Sequence, residues 1–189
     1  MSEEGDAWIY TCIKRNSYFF VSFSVGKWTH ETCERMIEKL FRRTMLPCPE
    51  HKIEVFTDGN GDYTHILPKY YAETCINYGQ LVKIREKGRV VDREKRVIYG
   101  SSLDLGDIET TDVENFNGIL RERIGRLVRK TKCFSKGGRR LKCAIELFQF
   151  YWNFINEFKR GTSPAMLEGL TDHTWSWHEF FYLRLTIPD

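Results

Sequence analysis

Two acidic residues occupy positions from which carboxylates commonly do chemistry. Asp58 follows a short apolar stretch and precedes the turn-forming sequence GNG. Glu114 heads a segment that becomes strongly basic, and Asn117 and Arg121 follow it at spacings close to one and two helical turns. A helix would therefore place Glu114, Asn117 and Arg121 on one face. Such a set could bind a divalent cation and steer a phosphate group beside it.

These two carboxylates suit one kind of reaction in particular. Two-metal cleavage or transfer of a phosphodiester requires two or three carboxylates that converge on Mg²⁺ or Mn²⁺. The spacing of Asp58 and Glu114 does not by itself show that they meet. Each also has a simpler interpretation, Asp58 as an ordinary turn aspartate and Glu114 as an acid that favours the N-terminal end of a helix dipole.

The cations of the chain are concentrated in one segment. Between Arg121 and Lys142 there are ten Lys or Arg residues and a single acid, Glu122. The net charge of the 189-residue chain is only +3, so the rest of the chain is acidic on balance. This asymmetry predicts a face that binds a polyanion.

Cysteine usage and hydropathy indicate the compartment. The six cysteines are scattered, and none shows the C-x-x-C spacing of a zinc ribbon or a redox motif. The sequence shows neither a signal peptide nor an apolar run of about 18 residues. We therefore expect a reduced, soluble, cytoplasmic protein without a membrane partner.

The N-terminal part of the chain predicts two strands followed by a helix. Residues 8–13 and 18–25 are rich in aromatic and β-branched residues and flank the polar sequence KRNS, which is typical of a β-hairpin that ends at Gly26. A helix should start after Thr29 as its N-cap and end before Pro47. Its buried face should contain Cys33, Met36, Ile37, Leu40 and Phe41.

The strand that leads to Asp58 is followed in the sequence by a predicted strand pair and two predicted helices. Residues 78–100 predict a strand pair around Gly88, and residues 101–112 an acidic loop. Next comes an amphipathic helix, and a further, largely apolar helix over residues 139–159 should be buried. The apolar face of the amphipathic helix contains Val113, Phe116, Leu120, Ile124 and Leu127.

The C-terminal residues 161–189 form a separate aromatic tail in this interpretation, after a domain that covers residues 1–160. His173 and His178 lie among its tryptophans and could contribute to a metal or base-stacking site. Two histidines without thiols are a weak metal signal. We favour a tail that packs on the domain.

Three motifs carry a resemblance to a known family: TDGNGDY, VENFNGILRERIGRLVRKT and CFSKGG. They resemble the catalytic region of InsB-type insertion-sequence transposases of bacteria and archaea, over roughly residues 8–158. Asn115 departs from the usual arginine, which should weaken a DNA contact more than the chemistry. The matching residues are Thr57, Asp58, Gly59, Tyr63, Val113, Glu114, Asn117, Leu120, Arg121, Arg123, Ile124, Arg126, Leu127, Arg129, Lys130, Thr131, Phe134, Ser135 and Lys136.

The resemblance implies an α/β or α+β domain of the ribonuclease-H-like, retroviral-integrase-like type, with a catalytic Asp-Asp-Glu triad. Asp58 and Glu114 would be the catalytic residues and the ligands of Mg²⁺ or Mn²⁺. The implied partners are double-stranded DNA, at element ends and at target sites, and a second copy of the chain. The implied DNA-binding residues are Asn117, Arg121, Arg123, Arg126, Arg129, Lys130 and Lys136.

The first aspartate of the triad has no clear counterpart. In the alignment to the family that we prefer, Trp8 lies in the second strand of the family fold. The first strand would then precede Met1, and the sheet would lack its central strand. In the competing alignment, Asp6 supplies the missing aspartate of the triad.

Two other functions remain open. The chain could be a non-catalytic DNA-binding remnant or a repressor of transposition, or a ribonuclease-H-like nuclease unrelated to transposition.

Overall fold

A computed structural model describes residues 7–100, 103–127 and 137–183. The protein is a mixed α+β chain, which confirms the coarser part of the predicted fold class. It divides into two compact units: residues 1–12 with 21–119, and residues 13–20 with 120–189. The described ranges contain a two-stranded and a three-stranded sheet, and no strand joins the two sheets there.

The predicted hairpin and first helix are present. Strands β1 (Trp8–Ile13) and β2 (Phe20–Gly26) pair, and helix α1 spans His30–Arg43. Thr29 caps α1, since its side chain accepts a hydrogen bond from the backbone of Thr32. The helix ends ahead of Pro47, as the sequence predicts.

The core of the first unit lies between α1, helix α2 (Asp62–Tyr70), strand β1 and the strand Ile76–Glu86. Four of the five predicted core residues of α1 are buried, and Phe41 packs partly buried against them. Burial of such side chains supplies most of the stability of an amphipathic helix. The buried cluster consists of Tyr10, Cys33, Met36, Ile37, Leu40, Ile66, Leu67, Tyr71, Ile76 and Tyr78.

Helix α2 has no counterpart among the predicted elements. Pro68 is its seventh residue and indicates a helix break in sequence. In a helix of nine residues Pro68 stands in the last turn, so it interrupts little of the hydrogen-bond ladder. Ile66 and Leu67 are fully buried, and their burial offsets the weak local propensity.

The three-stranded sheet carries the strand that ends at Asp58. Strand β3 (Ile53–Asp58) runs parallel to β4 (Ile76–Glu86), and β4 runs antiparallel to β5 (Arg89–Tyr99). Lys87 and Gly88 form the two-residue turn between β4 and β5, with φ of 47° and 80°. Positive φ at both turn residues matches the right-handed twist of the strands. The predicted strand pair around Gly88 is confirmed.

Helix α3 (Thr111–Arg123) is shorter than its apolar pattern predicts. Phe116 and Leu120 are buried on its inner face, at 0% and 2% exposure. Ile124 is also buried but follows the helix, and Leu127 stands in a short 3₁₀ turn, Gly125–Leu127. Gly125 follows just after this end, at a position where glycine is strongly enriched at the C-termini of helices.

The second unit is built on helix α4 (Gly138–Phe150), which continues into one π-helical turn, Tyr151–Ile155. The predicted helix to residue 159 therefore ends earlier. Its burial is also more one-sided than predicted, because Leu147 is 46% exposed. Buried Asn153 accepts from the backbone N–H of Phe20 at 2.8 Å and donates to the carbonyl of Phe20 at 3.0 Å.

The aromatic tail packs within the second unit and contains helices α5 (Pro164–Leu167) and α6 (Trp177–Tyr182). The backbone N–H of Trp175 donates to the carbonyl of Phe154 at 2.9 Å. The ring of Trp177 stacks on Tyr151 with a centroid distance of 5.8 Å. These contacts support the packing interpretation of residues 161–183.

Candidate metal and DNA site

Asp58 is the last residue of β3, where the chain leaves the sheet in a tight turn. Its Oδ1 accepts a hydrogen bond from the backbone N–H of Asn60 at 3.2 Å, which is an Asx turn. A Cβ on Gly59 would lie 3.2 Å from Cγ1 of Val82, so a glycine lets the turn stay close to β4. Among the described residues Oδ2 of Asp58 accepts no hydrogen bond, and the side chain is exposed.

The register of the sheet determines which way Asp58 points. Asp58 is paired with Leu81 in the parallel β3–β4 ladder, so both side chains lie on one face of the sheet. Lys83 follows Leu81 at the two-residue period of a strand and shares that face. The opposite face contains Val55 and Tyr78, which pack into the core of the first unit.

Glu114 stands in the first turn of α3 and is held by two donors. Both Nζ of Lys83 and Oγ1 of Thr110 donate to its Oε1, each at 2.6 Å. In the described part of the chain Oε2 accepts no hydrogen bond, and the side chain is 48% exposed. Burial alone would raise the pKa of the Glu114 carboxyl, but Lys83 and Thr110, aided by the charge of Arg93, outweigh it and lower the pKa.

The contact with Lys83 puts Glu114 on the same face of the sheet as Asp58. From the strand geometry, the Cα of Lys83 lies about 7 Å along and about 5 Å across from the Cα of Asp58. The two carboxylates do not contact each other through a hydrogen bond. Within the described ranges, no group of three or more His, Cys, Asp or Glu side chains is arranged to hold a metal ion.

Asn117 has a partner that sequence reasoning did not identify. Its Oδ1 accepts a hydrogen bond from Oγ1 of Thr11, at 2.8 Å, and Thr11 belongs to β1. The bond joins α3 to the hairpin of the same unit. Its use as a substrate contact stays a prediction.

Three of the predicted DNA-binding arginines, Arg121, Arg123 and Arg126, have exposed side chains. Exposure is what a contact to phosphate requires. Arg129, Lys130, Lys136 and Asp6 lie outside the described residues.

Two buried polar atoms, Oη of Tyr10 and Nδ2 of Asn60, also lie near this end of the sheet. Burial raises the pKa of the Tyr10 hydroxyl to about 12, and the charges of Cys33, Asp62 and Asp58 add to the rise. The Asn60 amide offsets part of it, yet among the described residues neither Oη of Tyr10 nor Nδ2 of Asn60 has a hydrogen-bond partner of normal geometry. Unpaired buried polar atoms are rare in folded proteins and commonly mark functional or strained sites.

Lys83, Thr110 and Arg93 are the site residues that sequence reasoning missed. Thr110 could have been found, because it precedes Glu114 by one helical turn and a threonine there can reach the carboxylate. Lys83 could not, since the sequence separation of 31 residues carries no local pattern.

The histidines of the tail are used within the tail. His173 bridges the carboxylates of Asp172 and Glu179, at 2.7 and 2.8 Å. The ring of His178 stacks on Tyr182 at 4.4 Å. These contacts account for both side chains without a metal ion or a nucleic-acid base.

Comparison with protein-family models, with curated proteins and with solved structures finds no match in any of the three. Among the helices of the described ranges, none combines the length and the apolar character that crossing a bilayer requires.

Proposed function

We propose that this chain is a metal-dependent DNA-processing domain of the insertion-sequence transposase type, with a ribonuclease-H-like arrangement of its elements. Asp58 and Glu114 would hold Mg²⁺ or Mn²⁺. The observation that carries the proposal is their position on one face of the three-stranded sheet, inferred from the β3–β4 register and the Lys83–Glu114 contact.

The donor chemistry of the two side chains fits such a cation. Magnesium takes oxygen ligands and is commonly bound by one or two carboxylates together with substrate phosphates and water. Each carboxylate has one oxygen engaged by the protein and one without a hydrogen bond within the described ranges. Thr110 fixes the orientation of Glu114, so that the second oxygen is presented from a defined rotamer.

The chain's own residues would divide the work with the cation. When bound, the metal would activate a water or a 3′ hydroxyl and stabilise charge on the phosphodiester. Asp58 and Glu114 would hold the metal. Lys83 would bind a phosphate oxygen once its own contact with Glu114 is broken. The cations of the 121–142 segment would bind the DNA backbone largely without regard to sequence.

A second candidate, a non-catalytic DNA-binding protein or repressor, is favoured by one contact. The ammonium group of Lys83 lies 2.6 Å from Oε1 of Glu114 and neutralises it as a metal ion otherwise would. In that case the acids are structural, and the basic surface alone accounts for function.

Calorimetric titration with Mn²⁺ separates the two candidates. The metal-dependent function predicts binding by the wild type and its loss in both Asp58→Asn and Glu114→Gln, because each removes one of two protein ligands. Binding that survives both substitutions contradicts the assignment. Retained duplex binding without any Mn²⁺ binding supports the repressor function instead.

A further inference from the structure

The β4–β5 pair continues beyond the end of β3 as a two-stranded ribbon. Strand β3 stops opposite Leu81, whereas β4 runs on to Glu86 and returns through the turn at Lys87 and Gly88. Residues 83–96 of this ribbon contain seven Lys or Arg and three acids. In sequence the two signs are interleaved, so the segment does not stand out as basic.

The pleat of the ribbon separates these charges onto opposite faces. On the face shared with Asp58, Lys83 is paired with Arg93 and Leu81 with Lys95. Two contacts identify this face, because Lys83 reaches Glu114 and Lys95 donates to the carbonyl of Gly106.

The opposite face carries the acids. There, Val82 is paired with Glu94 and Ile84 with Asp92. Glu94 forms an ion pair with Arg96. The acids are therefore turned away from the face that Lys83 and Arg93 occupy.

The arrangement on the basic face is unfavourable for the free protein. Like charges directly opposite each other on an antiparallel pair are destabilising, and Lys83 and Arg93 stand in such a pair. Glu114 forms an ion pair with Lys83, but in the described ranges neither Arg85 nor Arg93, which share that face, forms an ion pair. A bound polyanion would relieve this repulsion.

We propose that the ribbon binds the phosphate backbone of a DNA duplex and guides the strand toward Asp58 and Glu114. A two-stranded ribbon has dimensions that fit a DNA groove, and its charge complements phosphate. Lys83 at its base contacts Glu114 directly. A phosphate that takes over Lys83 would release the Glu114 carboxylate for a cation, which couples DNA binding to the metal site. This inference rests on the proposed function and names the surface that would deliver its substrate.

The test measures duplex affinity by fluorescence anisotropy as a function of salt. The ribbon variant carries Arg85→Gln, Arg93→Gln and Lys95→Gln on the basic face, and the control carries Arg96→Gln, which removes a cation from the opposite face. Each lost phosphate contact lowers the slope of log K against log salt by about 0.9, so the ribbon variant should lose about two to three units. The control should leave the slope unchanged within about half a unit.

The outcomes distinguish the ribbon from the function on which it rests. If the wild type binds the duplex and the ribbon variant keeps the same salt slope, only the proposal about the ribbon is overturned. A wild-type chain that binds no duplex at any salt concentration overturns both proposals.

A second measurement uses the unaltered protein and does not depend on the folding of a variant. Acetylation of lysines, read by mass spectrometry, should be suppressed by bound duplex at Lys87 in the ribbon turn. Lys52, exposed just before β3, should react equally with and without DNA. Equal reaction at Lys87 in both states would contradict the inference.

Discussion

The β4–β5 ribbon and the 121–142 segment present positive charge in two different ways. In the segment ten cations occur with a single acid, Glu122, so a count along the sequence finds them. In the ribbon they alternate with acids, and only the pairing of Lys83 with Arg93 reveals a basic face. A sequence count thus identifies a charged segment, whereas a charged face requires the register of the strands.

The largest effect is expected in the 121–142 segment. Replacing Arg126, Arg129 and Lys130 with Ala should flatten the salt slope of duplex affinity by about two to three units while leaving sequence preference nearly unchanged. Glu122→Gln is the matched control from the same segment and should not weaken binding. Affinity that is independent of salt would contradict a phosphate-binding role and leave these cations as a solvated face.

A smaller effect on stability tests the register on which the basic face depends. A Cβ on Gly79 would lie 2.7 Å from Cγ1 of Ile108, on the face that Asp58 shares. Gly79→Ala should therefore lower the free energy of unfolding by about 1–3 kcal/mol in urea titrations. If the register were displaced by one residue, the new methyl group would point to the other face.

Gly118→Ala serves as the control for that measurement. Gly118 lies within α3, and a Cβ placed there would meet no other described residue within 4 Å beyond the backbone of its own helix. Alanine should therefore stabilise the protein by up to about 1 kcal/mol through its helix propensity. Destabilisation by both substitutions to a similar degree would argue against a specific contact at Gly79.

The smallest effect concerns a charge cluster that is local in sequence, in contrast to the ribbon. Hydrogen bonds to Asp172 and Glu179 raise the pKa of His173. A raised pKa in the folded state means that the stabilisation is complete below the ordinary pKa of 6.5 and is lost as pH rises through the raised value. The protection of residues 171–182 against hydrogen exchange, taken relative to the intrinsic rate at each pH, should therefore fall across that interval, and His173→Gln should remove this fall. Constant protection in the wild type would contradict this role.

The elements predicted correctly from sequence are those specified by local patterns. The hairpin, α1 with its Thr29 cap, and the strand pair around Gly88 each follow from residue period, cap chemistry or turn chemistry. Helix α2 was not predictable in this way, because Pro68 suggests a break while burial of Ile66 and Leu67 is a tertiary effect.

In the candidate site, too, the local features were predictable and the long-range ones were not. Asp58 and Glu114 could be identified by residue type, by position at element ends and by the transposase resemblance. Their shared face could not, because it depends on the β3–β4 register and on Lys83, which comes from a different element. Long-range pairing of this kind leaves no periodic signal in the sequence.

The most direct test of the proposed metal site is a Mn²⁺ titration of a Lys83→Met variant. If Glu114 is a metal ligand, Lys83 competes with the cation, and its removal should tighten Mn²⁺ binding. A unit charge about 4 Å away contributes about 1 kcal/mol even in water, so we expect a gain of at least about fivefold. Asp58→Asn in the same variant should abolish the binding. Unchanged Mn²⁺ affinity in Lys83→Met, or tight binding that persists without the Asp58 carboxylate, would contradict a metal site formed by Asp58 and Glu114.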